Sequence, residues 1–217
     1  MINVTFNLSN LYQHGSAFWD FLALRKRHFV DELGWDIPHD DEVEMDQYDN
    51  PTAHYSVVLR DGVVVGGART MATSAQWGSH RYMLKDALDG KLGDIPPDVM
   101  PRNIQMKSVW ECTRLVISDD VRTHAERNEC LSLIVQGLAE VAARNGADRM
   151  ISLSPLALTR ALRQLGYDCE RIGAPYLNDG DGRRYAVLAM PTAKTRTFTP
   201  KATHRPNPTP LHAPQVV

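Results

Sequence analysis

Six charged side chains stand where the surrounding sequence asks for apolar ones: Arg25, Asp46, Asp49, Arg69, Glu111 and Arg114. Arg25 interrupts the apolar stripe Phe18, Phe21, Leu22, Phe29 and Leu33 of a helix predicted from about Ser16, its N-cap, to Leu33. At about 100° per residue it points within about 20° of Phe18. A guanidinium there either snorkels to the surface along its stem or is buried against carboxylates. The stretch 36–52 (DIPHDDEVEMDQYDNPT) favours burial, because its seven acidic side chains supply partners. Two prolines and no apolar period make that stretch a loop, and it carries Asp46 and Asp49. Glu111 and Arg114 lie in VWECTRLVI, a buried strand over Val109–Ile117. Strict alternation sends them to opposite faces, so service at one site requires a bulge between them. Each charge alone reads as a surface residue. Three arginines and three acids on buried-looking elements read as a charged pocket, suited to a zwitterion with a carboxylate and an ammonium group.

The elements that must hold these residues follow from pattern. AHYSVVLR, Asp61-Gly62 and VVVGGARTM form a hairpin on a two-residue turn. Gly66-Gly67 in its second strand predicts a bulge or a close approach by another group, and Arg69 lies just beyond. A short helix is expected near Tyr82–Leu88, then a proline-containing loop. A long helix runs from about Ala125 to Arg144 and stops at Asn145-Gly146. Next come a strand (Arg149–Leu153), a helix from Pro155 to Gly166, and strands near Asp168–Ile172 and Arg184–Met190. The fold class is α/β, a single-domain α/β/α sandwich over residues 1–190 whose order is similar to the N-acetyltransferase-like (GNAT) fold. Residues 191–217, rich in proline and threonine, read as a disordered tail.

With 217 residues, 43% hydrophobic content and a net charge of −2, the chain has no global field to recruit nucleic acid or anionic membrane. Three separated cysteines show no metal-ligand spacing and read as reduced thiols, and no metal is expected. There is no signal-peptide pattern and no apolar run of the roughly 20 residues a membrane span needs. A cytoplasmic location is the expectation.

The ordered set Arg25-x3-Phe29-x5-Trp35-x10-Asp46-x2-Asp49, Arg69, Glu111-Cys-Thr-Arg114 resembles the acyl-homoserine lactone synthases of bacterial quorum sensing. The resemblance runs from about residue 20 to 190 and departs at TMATS after Arg69, at Leu115, and in the longer stretch between Arg69 and Glu111. It implies an acyltransferase that acylates the amine of S-adenosylmethionine from an acyl thioester, then closes the lactone and releases methylthioadenosine. Adenosylmethionine is then a substrate and no separate cofactor is needed. Glu111 and Arg114 would be catalytic, with Glu111 the general base directly or through water. Arg25, Phe29, Trp35, Asp46, Asp49 and Arg69 would bind substrate, the acids fixing the amine or tying down the arginines. Phe29 reads equally as core. Met150, Ser152, Leu153 and Leu156 would line the acyl pocket, and backbone around Ser152–Ser154 would supply oxyanion donors. The donor would be acyl carrier protein or acyl-CoA. Arg144, Arg149, Arg160, Arg163 and Arg171 form either a docking patch for an acidic carrier protein or a solvated face. VRTHAERNE lacks the glycines of a phosphate-cradling loop, which argues against the usual manner of binding CoA. The competing reading is a GNAT-like N-acyltransferase that acylates another amine without forming a lactone.

Overall fold

Alternation along β2 (His54–Arg60) sets the layers: neighbouring Val57 and Val58 are both fully buried, one on each side of a sheet. In the computed structural model, which describes residues 1–195, β1 (Ile2–Asn7), β2, β3 (Val63–Ala72), β4 (Val109–Ile117), β5 (Arg149–Pro155), β6 (Glu170–Arg171), β7 (Tyr176–Leu177) and β8 (Arg184–Pro191) form one sheet. Its order is β1-β2-β3-β4-β5-β8-β6, with β7 also on β8. Every pairing is antiparallel except β4 with β5. One face carries α1 (Ala17–Arg25) and α2 (Met83–Leu88); the other carries α3 (His124–Arg144) and α4 (Ala157–Gln164). This is the expected α/β/α sandwich. No helix among the described residues is long and apolar enough to cross a membrane.

Several local expectations change. β1 was not legible as an element; it is an edge strand with one fully buried face residue, Phe6. The helix from Ser16 to Leu33 is α1 followed by a π-helical turn over Lys26–Glu32. Ser16 does not cap it; its hydroxyl donates to Asp20 instead. The helix expected to start at Pro155 starts at Ala157, because Pro155 still pairs with Tyr185 as the end of β5. Pro191 likewise closes β8, and the Thr192 and Thr195 amides bond to Asp148 and Gly166, so the chain remains attached past the expected tail boundary. Residues 196–217 of that tail lie outside the described residues.

Other features match. Asp61 and Gly62 have φ of 54° and 80°, the left-handed pair that a tight hairpin turn demands. At Gly66 and Gly67 both earlier readings hold: the β3–β4 register shifts beyond Gly67, and a Cβ would lie 2.8 Å from Cys130 Sγ at Gly66 and 2.8 Å from the Phe21 ring at Gly67. Both helical layers therefore press directly on β3. α3 begins with a reciprocal capping box between Thr123 and Glu126 and presses as closely on β1 and β2.

That close packing yields a prediction at Gly137, in the middle of α3. Helix propensity alone would make Gly137→Ala stabilising by about 1 kcal/mol. A Cβ there would sit 2.4 Å from Ser56 Oγ and 2.5 Å from Asn3 Oδ1, on two side chains held together by the bond that Asn3 Nδ2 donates to Ser56 Oγ. The expected result is a lower thermal midpoint; a raised one would show that the helix and sheet can separate without loss.

Candidate active site

The sheet opens at its centre. β4 and β5 pair only over Val109–Glu111 against Arg149–Ile151, after which β5 stays with β8 while β4 stays with β3. Beyond Gly67, Arg114 and Leu115 on β4 stand against Ala68 alone, one extra residue before pairing resumes at Arg69 with Thr113, and Arg114 takes φ 58°. The bulge required to bring Glu111 and Arg114 to one side is present. A cavity of about 670 Å³ fills the gap and passes through the sheet. Phe29, Trp35, Asp46 and Arg114 line its end beneath α1, whereas Val135, Leu138, Leu158, Leu162 and Leu188 line its end beneath α3 and α4.

The polar end has an aromatic wall built by the π turn. Widening there lets the Leu33 amide bond to His28 O and the Trp35 amide to Phe29 O, which folds Trp35 back over Phe29. Their rings stack at 4.9 Å. The Trp35 indole N–H donates to Asp181 (3.2 Å), which also accepts from the Tyr185 hydroxyl (2.6 Å). Arg114 lies over the other ring, 5.6 Å from the Phe29 centroid.

Behind this wall six charges close a ring of alternating sign. Arg25 Nε reaches Glu44 (2.5 Å); Glu44 reaches Arg114 (3.2 Å); Arg114 reaches Asp46 (2.8 Å). Asp46 reaches Arg69 (2.5 Å), Arg69 reaches Asp49 (2.8 Å), and Asp49 returns to Arg25 in a two-bond fork (2.8 and 2.9 Å). Arg25, Arg69 and Glu44 are wholly buried. Burial opposes ionisation of Asp46 and Asp49, yet Arg69 with Arg114 or Arg25 outweighs it and holds both carboxyls below the ordinary range. Burial likewise works against the charge on Arg25 and Arg69, and the facing carboxylates more than restore it. The buried Arg25 is thus the carboxylate-paired arginine its place in the apolar stripe implied. The sequence reading counts Glu111 as the third acid of the charged pocket; in the ring the third acid is Glu44. Glu44 and Asp46 are buried while Met45 between them is 40% exposed, an alternation that an extended segment produces.

Glu111 is seated elsewhere on the same face. Its two oxygens accept the amides of Met83 and Leu84, each at 2.8 Å, at the start of α2. It is 1% exposed, and burial raises its carboxyl to about 7 despite those two amides. Met83 lines the cavity, whereas Glu111 is one residue removed from it.

Of the residues expected at the site, Phe29, Trp35, Asp46, Arg114, Met150, Ser152 and Leu153 line the cavity. Arg25, Asp49 and Arg69 instead brace Asp46 and Arg114 from behind. Leu156 is not among the lining residues: it precedes α4 with its amide on Arg184 O, and Ala157 and Leu158 line the wall. His28, which the sequence did not single out for the site, is in the wall beside Phe29 and bonded to Glu32 (2.7 Å). Tyr48, Tyr176 and Tyr185 also line the cavity and carried no signal beyond ordinary core patterning.

The ring generates a prediction. Glu44→Gln keeps the shape but leaves Arg25 and Arg114 facing a neutral amide, an uncompensated buried charge whose exposure on breaking such a pair costs about 3–5 kcal/mol. Urea unfolding should show a loss of that order; a loss below about 1 kcal/mol would mean that the ring behaves like a surface network.

Comparison with known proteins agrees with this geometry. The sequence model of the family described as "Autoinducer synthase" matches residues 9–197. An acyl-homoserine-lactone synthase of Acinetobacter nosocomialis is 28% identical over 187 residues, covering 82% of this chain and 94% of its own. Among solved structures, TofI in a ternary complex with an inhibitor and MTA is 25% identical with a TM-score of 0.70, covering 88% of this chain and 92% of that one. An acyl-CoA N-acyltransferase from Pseudomonas aeruginosa shares the fold at a TM-score of 0.55 and 15% identity, covering 87% of this chain and 99% of its own. The chain belongs to the autoinducer synthase family, and it is an enzyme, an acyltransferase of the acyl-homoserine-lactone synthase type.

Proposed function

We propose that the enzyme acylates the α-amine of S-adenosylmethionine from an acyl thioester and then closes the homoserine lactone, releasing methylthioadenosine, with no further cofactor. The observation that carries this reading is the cavity through the sheet, charged and aromatic at one end and apolar at the other. Adenosylmethionine suits the first end. Its sulfonium meets the stacked Phe29 and Trp35, a contact worth about 0.5–2 kcal/mol. Its carboxylate meets Arg114, whose Nη1 has no hydrogen-bond partner among the described residues, and its ammonium meets Asp46. Arg25, Arg69 and Asp49 fix those two groups without touching substrate.

The acyl chain suits the second end, against Met150, Val135, Leu138 and Leu162, with the thioester carbonyl in the gap between β4 and β5. There the edge of β5 from Ser152 onward has no pairing to β4, which leaves backbone groups to meet an oxyanion. The Ser152 and Ser154 hydroxyls, 3.0 Å apart, stand nearby for an oxygen on the acyl β-carbon. Glu111, raised to about 7, takes the proton of the ammonium through a water, and lactone closure then requires only that the carboxylate be held in line with the γ-carbon.

Acyl carrier protein is the proposed donor over CoA. The first turn of α3 borders the cavity through Arg127, but Glu126 and Thr123 occupy its end, and Arg127 is held by the Ser118 and Val121 carbonyls. A carboxylate at that helix end and the two carbonyls already bonded by Arg127 Nη1 both disfavour nucleotide phosphates there. Of the five arginines of the expected docking patch, Arg144 and Arg149 pair with Glu140 and Glu170 and Arg163 bonds Cys169 O, while Arg160 and Arg171 have no ion pair among the described residues.

Four outcomes test this reading. Assayed with adenosylmethionine and acyl-carrier-protein or acyl-CoA thioesters, the protein should yield methylthioadenosine and acyl-homoserine lactone together; thioester use without methylthioadenosine would leave the plain N-acyltransferase. Glu111→Gln should lower kcat by about 10²–10⁴ while calorimetry still detects adenosylmethionine binding. Because a base must be ionised, wild-type kcat/KM should fall as pH drops through about 7, and a flat profile down to pH 5 would remove Glu111 from that role. Ala161→Phe, in the apolar end, should shift the products toward shorter acyl chains; an unchanged distribution would place the chain elsewhere.

A further inference from the structure

The proposed reaction releases a proton that a buried base cannot shed alone. The ammonium of adenosylmethionine carries three hydrogens and the amide product keeps one. Of the two that leave, the departing thiolate takes one. Lactone closure moves none, since the carboxylate oxygen displaces a sulfonium and the bonding pair stays on sulfur. One proton per turnover must therefore pass from a site where Glu111 is 1% exposed to bulk water.

Next to that site lies a carboxylate with no role so far. Asp86, in α2, is wholly buried, yet four groups converge on it. The Tyr48 hydroxyl donates to Oδ2 at 3.1 Å, and His80 Nδ1 meets the same oxygen at 3.2 Å. Lys91 Nζ reaches Oδ1 at 3.0 Å, and the Arg81 amide meets both oxygens at 3.3–3.4 Å. Tyr48 lines the cavity under the guanidinium of Arg69, while the His80 side chain is 38% exposed. Two hydrogen bonds to one oxygen thus join the cavity wall to solvent. Glu111 and Asp86 also grip the same short helix, Glu111 at Met83 and Leu84 and Asp86 two residues on.

We propose that Tyr48, Asp86 and His80 form the exit path for this proton, with Tyr48 receiving it from cavity water next to Glu111 and His80 delivering it to solvent. The inference rests on the proposed amine acylation. Tyr48 hands its hydroxyl proton to Asp86 as it accepts another, so no phenolate forms; Asp86 passes the proton to His80 Nδ1, and Nε2 releases one. The alternative is that Asp86 merely ties residues 79–91 to α2 through Lys91 and Arg81.

The test is His80→Ala with and without imidazole, beside His80→Gln and Tyr48→Phe, in an assay following methylthioadenosine and lactone. For His80→Ala the expected result is a kcat lower by roughly tenfold or more, KM for adenosylmethionine unchanged, a larger solvent deuterium effect on kcat, and restoration by imidazole. His80→Gln, able to bond Asp86 but not to carry a proton at neutral pH, should be as slow as His80→Ala. Tyr48→Phe should be slow and not restored by imidazole. Full activity in His80→Ala, or a loss that Gln repairs and imidazole does not, would overturn the exit path and leave Asp86 a structural tie. Wild-type protein making no lactone would instead defeat the proposed function itself, before any variant is compared.

Discussion

Everything at the polar end of the cavity depends on six charges that could not be buried one at a time. An isolated guanidinium or carboxylate taken from water into an apolar interior is opposed by many kcal/mol of lost hydration. Arg25, Arg69, Arg114, Glu44, Asp46 and Asp49 escape this by forming a closed circuit in which every cation touches two anions. The circuit joins α1, the acidic loop, β3 and β4, four segments far apart in the chain. It is this pairing, more than apolar packing, that gives an irregular loop a defined path over the sheet and delivers Asp46 to the cavity wall.

A second constraint acts on the sheet itself. Strands normally maximise their pairing, and an unpaired central edge would leave backbone groups without partners. β4 and β5 part nonetheless, because the bulge at Arg114 turns β4 toward the ring while β5 follows β8. The same deviation that completes the ring opens the sheet. Charge burial and the opening of the cavity are thus two results of one irregularity on β4, and in the proposed reaction the unpaired edge of β5 becomes a resource where it would otherwise be a defect.

Much of this was legible in the sequence because the physics was local. The Asp61-Gly62 hairpin, the strand Val109–Ile117 and α3 follow from turn chemistry and periodicity, and their bounds agree to within a residue. Arg25 was legible because a charge in an apolar stripe demands a partner. Glu44 was hidden among seven acids of one loop, since only the extended geometry of residues 44–46 separates the buried ones from the exposed. The π turn was hidden because a helical stripe looks alike whether each amide reaches back four residues or five. The separation of Glu111 from the ring depends on α2 presenting two amides, a tertiary fact with no mark in E-x-x-R. Leu156 was misplaced because Pro155 extends a strand and does not begin a helix.

The two ends of the cavity also differ in how they tolerate change. In the ring, replacing one member unbalances two neighbours, so a single change there costs stability that a second, compensating one must restore. At the apolar end, Val135, Leu138, Ala161 and Leu162 meet one another only through shape, and each can shrink or grow singly at modest cost. With the acyl chain at that end, as proposed, a lineage carrying this scaffold can try new signal molecules one mutation at a time while its chemistry stays locked, which makes the message far easier to alter than the machine that writes it.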